Sequence, residues 1–362
     1  MSEAFADPGE PVPAVEVVTP SMVSQPLPPP KQLIFFYSPD EFEKFTHEWV
    51  RVLDTRYVRV EVHGGAGDHG VDVAAFLTPH GLEGDWHSFQ CKHYGKPLDM
   101  ATVLPEMLKV FRSVVEGYYC MPSRYVFVAP QTARATVKTL SRPNESRQMF
   151  LQWLDKPGNR AITALPAAVR QAVRALAEAT TFSRFEAAEL DDILDLHEQT
   201  RFWSARFGQP LKPRPPARLP PPDHEPEERY YVEQLLEVYR EKWGEVAGTL
   251  SKVAEHSKAK EHLYRQRVAY FSADSLRVFA RESVPDGYFE TLQQDVYDVV
   301  VEVADRSFKT GYDRVQEVLA KAASIRLTQT ILISRVKPLD AMGVCHHLAN
   351  DDKLTWCQEG DG

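Results

Sequence analysis

An aspartate beside one apolar run and an amide–x–lysine triplet in the next are the residues whose spacing best suits work on a phosphate. The first run reads GGAGDHGVDVAAF from Gly64 to Phe76, and the second reads FQCKHY from Phe89 to Tyr94. Alternate side chains of an extended segment share a face, so Gln90 and Lys92 point together and Cys91 points away. If VDVAAF is the neighbouring strand, Asp72 near its start faces the end of the Gln-Cys-Lys strand. Asp72 then offers a hard carboxylate oxygen, Gln90 an amide oxygen and Cys91 its backbone carbonyl. Magnesium suits such a set, because it keeps waters and substrate phosphate in the rest of its shell. A metal there polarises phosphorus, lowers the pKa of its water, or both. Lys92 orients that water and offsets charge developing on the phosphate oxygens. It would serve as a base only with a depressed pKa, which neighbouring carboxylates oppose. A glutamate from the preceding helix is the remaining candidate, with Glu48 preferred over Glu41 and Glu43. Taken alone, an aspartate at a turn and a lysine in a strand are more often parts of an ordinary structural hairpin.

These residues need a helix, several strands and a tight turn to position them. SPDEFEKF places Ser38 three residues before Glu41 with Pro39 between, the signature of a capped helix start. Phe42, Phe45, Trp49, Val50 and Leu53 follow at helical spacing. YVRVEVH alternates as a strand, VDVAAFL and WHSFQCKHY supply two more, and TPHGLEGD between them is a turn. Gly64, Gly65, Gly67 and Gly70 allow backbone angles closed to other residues. They are no helix-opening dinucleotide loop, since the element that follows is a strand. A helix over Met100 to Glu116 and the strand SRYVFVAPQ complete a mixed α/β domain, and a helical pattern runs from Leu165 to about Phe207.

Eight prolines between 210 and 226 then interrupt all regular structure, as a semi-rigid spacer or a strap along a surface. The stretches beyond are periodic and helical. The expected organisation is a proline-rich tail over 1–30, an α/β domain with a helical extension over 31–207, a linker over 208–226 and a helical domain over 227–362.

A formal net charge of −9 gives no global steering towards nucleic acid, although a locally basic groove remains compatible with it. Four cysteines form no disulfide framework, which fits a reducing, cytoplasmic setting. Residues 1–30 hold eight prolines and no lysine or arginine, unlike a secretory peptide, and no apolar run approaches a membrane span.

Other side chains have quieter readings. Asp68 supports the glycine turn or joins the metal shell. His69 and His93 flank the site, and Lys96, Lys109 and Arg112 carry positive charge for backbone phosphates or sit on an ordinary surface. Cys345, His346, His347 and Cys357 lack the paired spacing of a structural zinc site. HHLANDDKLTW caps a helix or presents a docking surface.

From about Phe35 to Pro130 the chain resembles the PD-(D/E)xK restriction-endonuclease-like superfamily, especially its Mrr-like branches. The resemblance rests on Gly64, Gly65, Gly67, Asp68, Gly70 and Asp72, followed by Gln90 and Lys92. Gln90 stands where the superfamily usually has a carboxylate, which removes one anionic ligand and makes a helix-borne glutamate more important. The whole chain, including RFWSARFG and the late GVCHHLANDDKLTW, looks like nuclease proteins of ABC-three-component antiphage systems, related to Lamassu effectors. That resemblance implies a restriction-endonuclease-like mixed sheet followed by a mostly α-helical C-terminal domain. It also implies DNA cleavage with magnesium, for which manganese can substitute, and regulation by an SMC-like or ABC ATPase subunit and a small accessory subunit. Activation by homo-oligomerisation belongs to the same expectation. The rival expectation is a catalytically weak DNA-binding or scaffold subunit that retains a nuclease fold.

Overall fold

The computed structural model describes residues 27–64, 69–327 and 330–357. After α1 (Pro30–Ile34), helix α2 (Pro39–Leu53) starts on a complete capping box: the Ser38 hydroxyl accepts from the Glu41 amide and the Glu41 carboxylate accepts from the Ser38 amide. Two otherwise orphaned backbone donors are thereby satisfied.

The strands β1 (Arg59–Val62), β2 (Val73–Phe76), β3 (Trp86–Cys91), β4 (Arg124–Val128) and β5 (Phe185–Ala187) form one five-stranded sheet in that order. β1, β2 and β3 run as an antiparallel meander, with Val62 opposite Val73 and Val73 opposite Phe89. β3 to β4 is parallel, so the chain must cross over, and helix α3 (Met100–Val115) makes that crossing.

The sheet separates two apolar layers. Phe42, Phe45, Trp49 and Val50 of α2 pack on Val73, Ala75, Phe89 and Val126. Val103, Met107 and Phe111 of α3 pack on Ala74, Phe76, Trp86 and Phe127. Because strand side chains alternate, Asp72, Gln90 and Lys92 belong to the α3 face and Cys91 to the α2 face.

Helices α4 (Arg134–Leu140), α5 (Pro143–Leu154), α6 (Arg160–Thr163) and α7 (Ala167–Ala179) extend this unit. The uninterrupted helical pattern expected from Leu165 to Phe207 is corrected at β5, which pairs parallel to β4 with Tyr125 opposite Phe185. Three residues are too few to show an alternating period, and Phe185 is buried among Phe111, Phe182 and Tyr125 by tertiary packing alone. Helices α8 (Leu190–His197) and α9 (Trp203–Phe207) follow.

The proline segment is fastened to the helical half. Arg214 binds the Asp340 carboxylate at 2.7 Å and the Ser272 carbonyl, Arg335 donates to the Leu211 and Lys212 carbonyls, and Arg267 donates to those of Pro221 and Asp223. A proline-rich segment forms no helix or sheet ladder to occupy its backbone carbonyls, and arginine side chains satisfy several of them here.

Helices α10 (Arg229–Trp243), α11 (Leu250–Glu255), α12 (Ser257–Ser283), α13 (Tyr288–Ala304), α14 (Gly311–Ala323) and α15 (Pro338–Asn350) share one core that includes Leu235, Phe271, Leu276, Val300, Val318 and Val344. Gly343 lets α15 approach the α12 backbone at Ala269 so closely that any β-carbon would collide with it. No helix among the described residues is long and apolar enough to cross a membrane.

Candidate active site

The register that pairs Val73 with Phe89 sets Asp72 opposite Gln90 at the open end of the β2–β3 pair. The Asp72 backbone is held from the other side, its carbonyl accepting from the His63 amide at 2.8 Å. Its carboxylate Oδ2 accepts from the Cys91 backbone N–H at 2.6 Å and from the Gln90 side-chain amide. The Gln90 carbonyl oxygen accepts from the Tyr125 hydroxyl at 2.8 Å, and that hydroxyl is also 3.0 Å from the Gly70 carbonyl. Gly70 has φ +83, a left-handed backbone that side-chained residues rarely adopt, and this brings its carbonyl within reach of the Tyr125 hydroxyl. Asp72 and Gln90 are 4% and 2% exposed, so whatever they bind must displace little bulk water.

Lys92 leaves the same strand face. Its backbone N–H donates to the Val128 carbonyl at 2.8 Å, and its ammonium lies 3.3 Å from the Glu106 carboxylate. Glu106 comes from α3 and receives a tighter contact from Lys109, at 2.9 and 3.1 Å to its two oxygens. Lys92 and Glu106 are largely buried while the Lys109 side chain is 55% exposed, so Lys109 lies at the surface and Lys92 inside. The sequence motifs pass over Glu106, yet it carries a signal: Val103, Leu104, Met107, Val110 and Phe111 make an apolar stripe, and Glu106 is the carboxylate set within it. A glutamate on a buried helix face needs partners, and here they are Lys109 and the candidate lysine.

Residues 37–144 match the restriction endonuclease family Mrr_cat, and residues 228–356 match C-terminal domain 6 of the ABC-three component (ABC-3C) systems. The chain is an Mrr-like restriction-endonuclease domain fused to an ABC-three-component C-terminal domain. No curated protein and no solved structure matches it. The Mrr-like match contains Asp72, Gln90, Lys92 and Glu106, and the ABC-three-component match spans α10 to α15.

Within the Mrr-like domain Glu48 is not brought to the other three. It sits on α2, across the sheet, where the Arg206 guanidinium grips both its oxygens and His197 lies 2.8 Å away. Burial raises its pKa, but hydrogen bonds from His197 and Arg206 and the Arg206 charge outweigh that and leave it lowered. Spacing along α2 could not choose among its glutamates, because the deciding partners arrive about 150 residues later, at separations of 149 and 158. Glu41 is consumed by the helix cap. Glu43 is the α2 glutamate at the glycine turn, its carboxylate lying where a side chain on Gly64 would stand.

Cys91 turns to the α2 face, and burial together with the Asp72 charge pushes its thiol pKa well up, so it is no nucleophile. His93 is pinned to the Ile34 carbonyl at 2.8 Å. His69 stacks on Tyr118 with centroids 3.6 Å apart, and Arg112 pairs with Glu116. Asp68, Gly65 and Gly67 lie outside the described residues. Cys345 and His346 are buried in the helical core, His346 3.2 Å from Gln266. Among the described residues no three His, Cys, Asp or Glu side chains gather as a metal-holding group. On the α3 face Asp72 is met by the Gln90 side-chain N–H and the Cys91 backbone N–H, and Glu106 by Lys92 and Lys109. The oxygens in this set, from two carboxylates and the Gln90 amide, are of the hard type that suits a cation retaining several waters. A cavity of about 650 Å³ between the proline strap and α10, α11 and α12 lies in the other domain, apart from these residues.

Proposed function

We propose that the protein is a metal-dependent DNA endonuclease subunit of an antiphage system, cutting phosphodiester bonds at the Asp72–Gln90–Lys92 site. The observation that carries this reading is the convergence of Asp72, Gln90, Lys92 and Glu106 on one sheet face in the domain that matches restriction endonucleases. Asp72, the Gln90 carbonyl and the Cys91 backbone carbonyl would hold a magnesium or manganese ion, with Glu106 supplying the carboxylate that Gln90 lacks. When bound, that ion supplies Lewis-acid polarisation of the phosphate and a more acidic water. The Lys92 ammonium offsets charge on the phosphate oxygens, and it can shift towards them because Lys109 also neutralises Glu106.

The helical domain matches ABC-three-component systems, and it supports docking of an ATPase subunit and a small accessory subunit that restrain or release cleavage. Two chains cut a duplex more readily than one, since one centre breaks one strand. One observation favours the rival reading of a catalytically weak scaffold: the Gln90 amide presents its N–H, not its oxygen, to Asp72.

Plasmid cleavage with magnesium, with manganese and with chelator separates the two readings. The assay compares wild type, Asp72→Ala and Lys92→Ala, alone and reconstituted with the partner subunits. Metal-dependent cleavage lost in both variants supports the nuclease. Cleavage that survives both substitutions rejects the site.

A further inference from the structure

The Tyr125 hydroxyl is buried directly behind Gln90. We infer that Tyr125 is a positioning residue that lets the Gln90 amide turn over, from an orientation that satisfies Asp72 without metal to one that offers oxygen to a divalent cation. This rests on the metal reading of the site.

A phenol has one proton and can both donate and accept. Here that proton has two acceptors in reach, the Gln90 oxygen at 2.8 Å and the Gly70 carbonyl at 3.0 Å. In the orientation described, the hydroxyl donates to Gln90, and the amide nitrogen donates to Asp72. That arrangement steadies a buried carboxylate, but it points a positive N–H edge at the place a cation would occupy. Turning the amide over places its oxygen beside Asp72 and its nitrogen beside the phenol. The hydroxyl then swings its hydrogen to the Gly70 carbonyl and accepts from the amide. No covalent bond changes and no proton leaves its oxygen. Asp72 keeps the Cys91 N–H throughout. The amide has a partner at both ends in either state, so turnover avoids the cost of an orphaned buried donor.

The arrangement also accounts for an amide at 90. A carboxylate there would face Asp72 with no donor to offer and would repel it until metal arrived. Glutamine holds the site closed and neutral towards Asp72, provided something behind it can switch from donor to acceptor. Tyr125 is fully buried on β4, and the left-handed backbone of Gly70 supplies the second acceptor.

The test is calorimetric titration of magnesium and manganese into the full chain, using wild type, Tyr125→Phe, Gln90→Glu and the double variant. Phenylalanine leaves the turned amide's N–H without an acceptor, so Tyr125→Phe should weaken binding about tenfold when Gln90 is present. In the Gln90→Glu background the introduced carboxylate only accepts, with or without metal, and Tyr125→Phe should change affinity less than about twofold. Equal losses in both backgrounds, or none when Gln90 is present, overturn the inference while leaving the metal site standing. A wild-type chain that binds neither ion rejects the metal reading, and this inference with it. Should Tyr125→Phe not fold, the Gln90 side-chain amide resonances of wild type serve instead: magnesium must shift them, and unshifted resonances at saturation overturn the turnover.

Discussion

Two buried carboxylates lie on opposite faces of the same sheet, and their surroundings separate structure from chemistry. Glu48, on the α2 face, is closed by a two-pronged Arg206 contact and by His197, and Arg206 in turn lies over the Tyr37 and Phe45 rings. The Arg206 charge matches its own, and His197 adds a hydrogen-bond contact. Asp72, on the α3 face, accepts from the neutral Gln90 amide and Cys91 backbone, while the Lys92 ammonium on that face lies against Glu106. A carboxylate oxygen held by neutral donors retains attraction for a cation. One gripped by a guanidinium has spent it.

Mutations can break or sharpen that contrast. Asp72→Ala should lower metal-dependent cleavage about a thousandfold, roughly 4 kcal/mol of transition-state stabilisation, with the melting transition retained. Glu48→Ala should do the reverse. Leaving Arg206 and His197 without their carboxylate costs about 3 kcal/mol of stability in a denaturant titration, and cleavage per folded molecule should hold. If Glu48→Ala abolishes cleavage while leaving the unfolding midpoint unmoved, the two faces have been assigned the wrong way round. Glu106→Gln should fall between, with cleavage and manganese affinity both down about tenfold and stability little changed.

The mildest test is pH. Burial lowers the pKa of His197, more than the Glu48 charge raises it, and burial lowers His262 to about 4, His346 to about 3 and His347 to about 4. Below the ordinary histidine value of 6.5 the unfolded chain therefore takes up protons that the native chain refuses, so stability is full above that value and falls as pH drops towards 4. The lowered pKa of Glu48 adds a further loss only below its ordinary value of 4.5. Melting midpoints measured from pH 8 to 5 should decline below 6.5, and His346→Gln should flatten the decline. A flat profile would contradict neutral burial of these rings.

Much of this is legible in the sequence. The Ser38 cap, the strand that follows Asp72 and the alternation through Gln90 and Cys91 are local patterns, governed by neighbours within a few residues, although β2 begins one residue after Asp72 and β3 ends one residue before Lys92. β5 is not legible, because Phe185–Ala187 owes its strand to the free edge of β4. Glu106 is legible only in hindsight, as a charge on an apolar stripe whose meaning depends on what the stripe covers.

The sequence by itself determined which residues alternate on β3, where α2 begins, and that the C-terminal half is helical, since these follow from periods of two and 3.6 and from caps. Only the tertiary structure decided which carboxylate is spent on an arginine and which faces the lysine. That choice depends on packing one helix on each side of a sheet, and contacts between residues far apart in the chain leave no local trace in it.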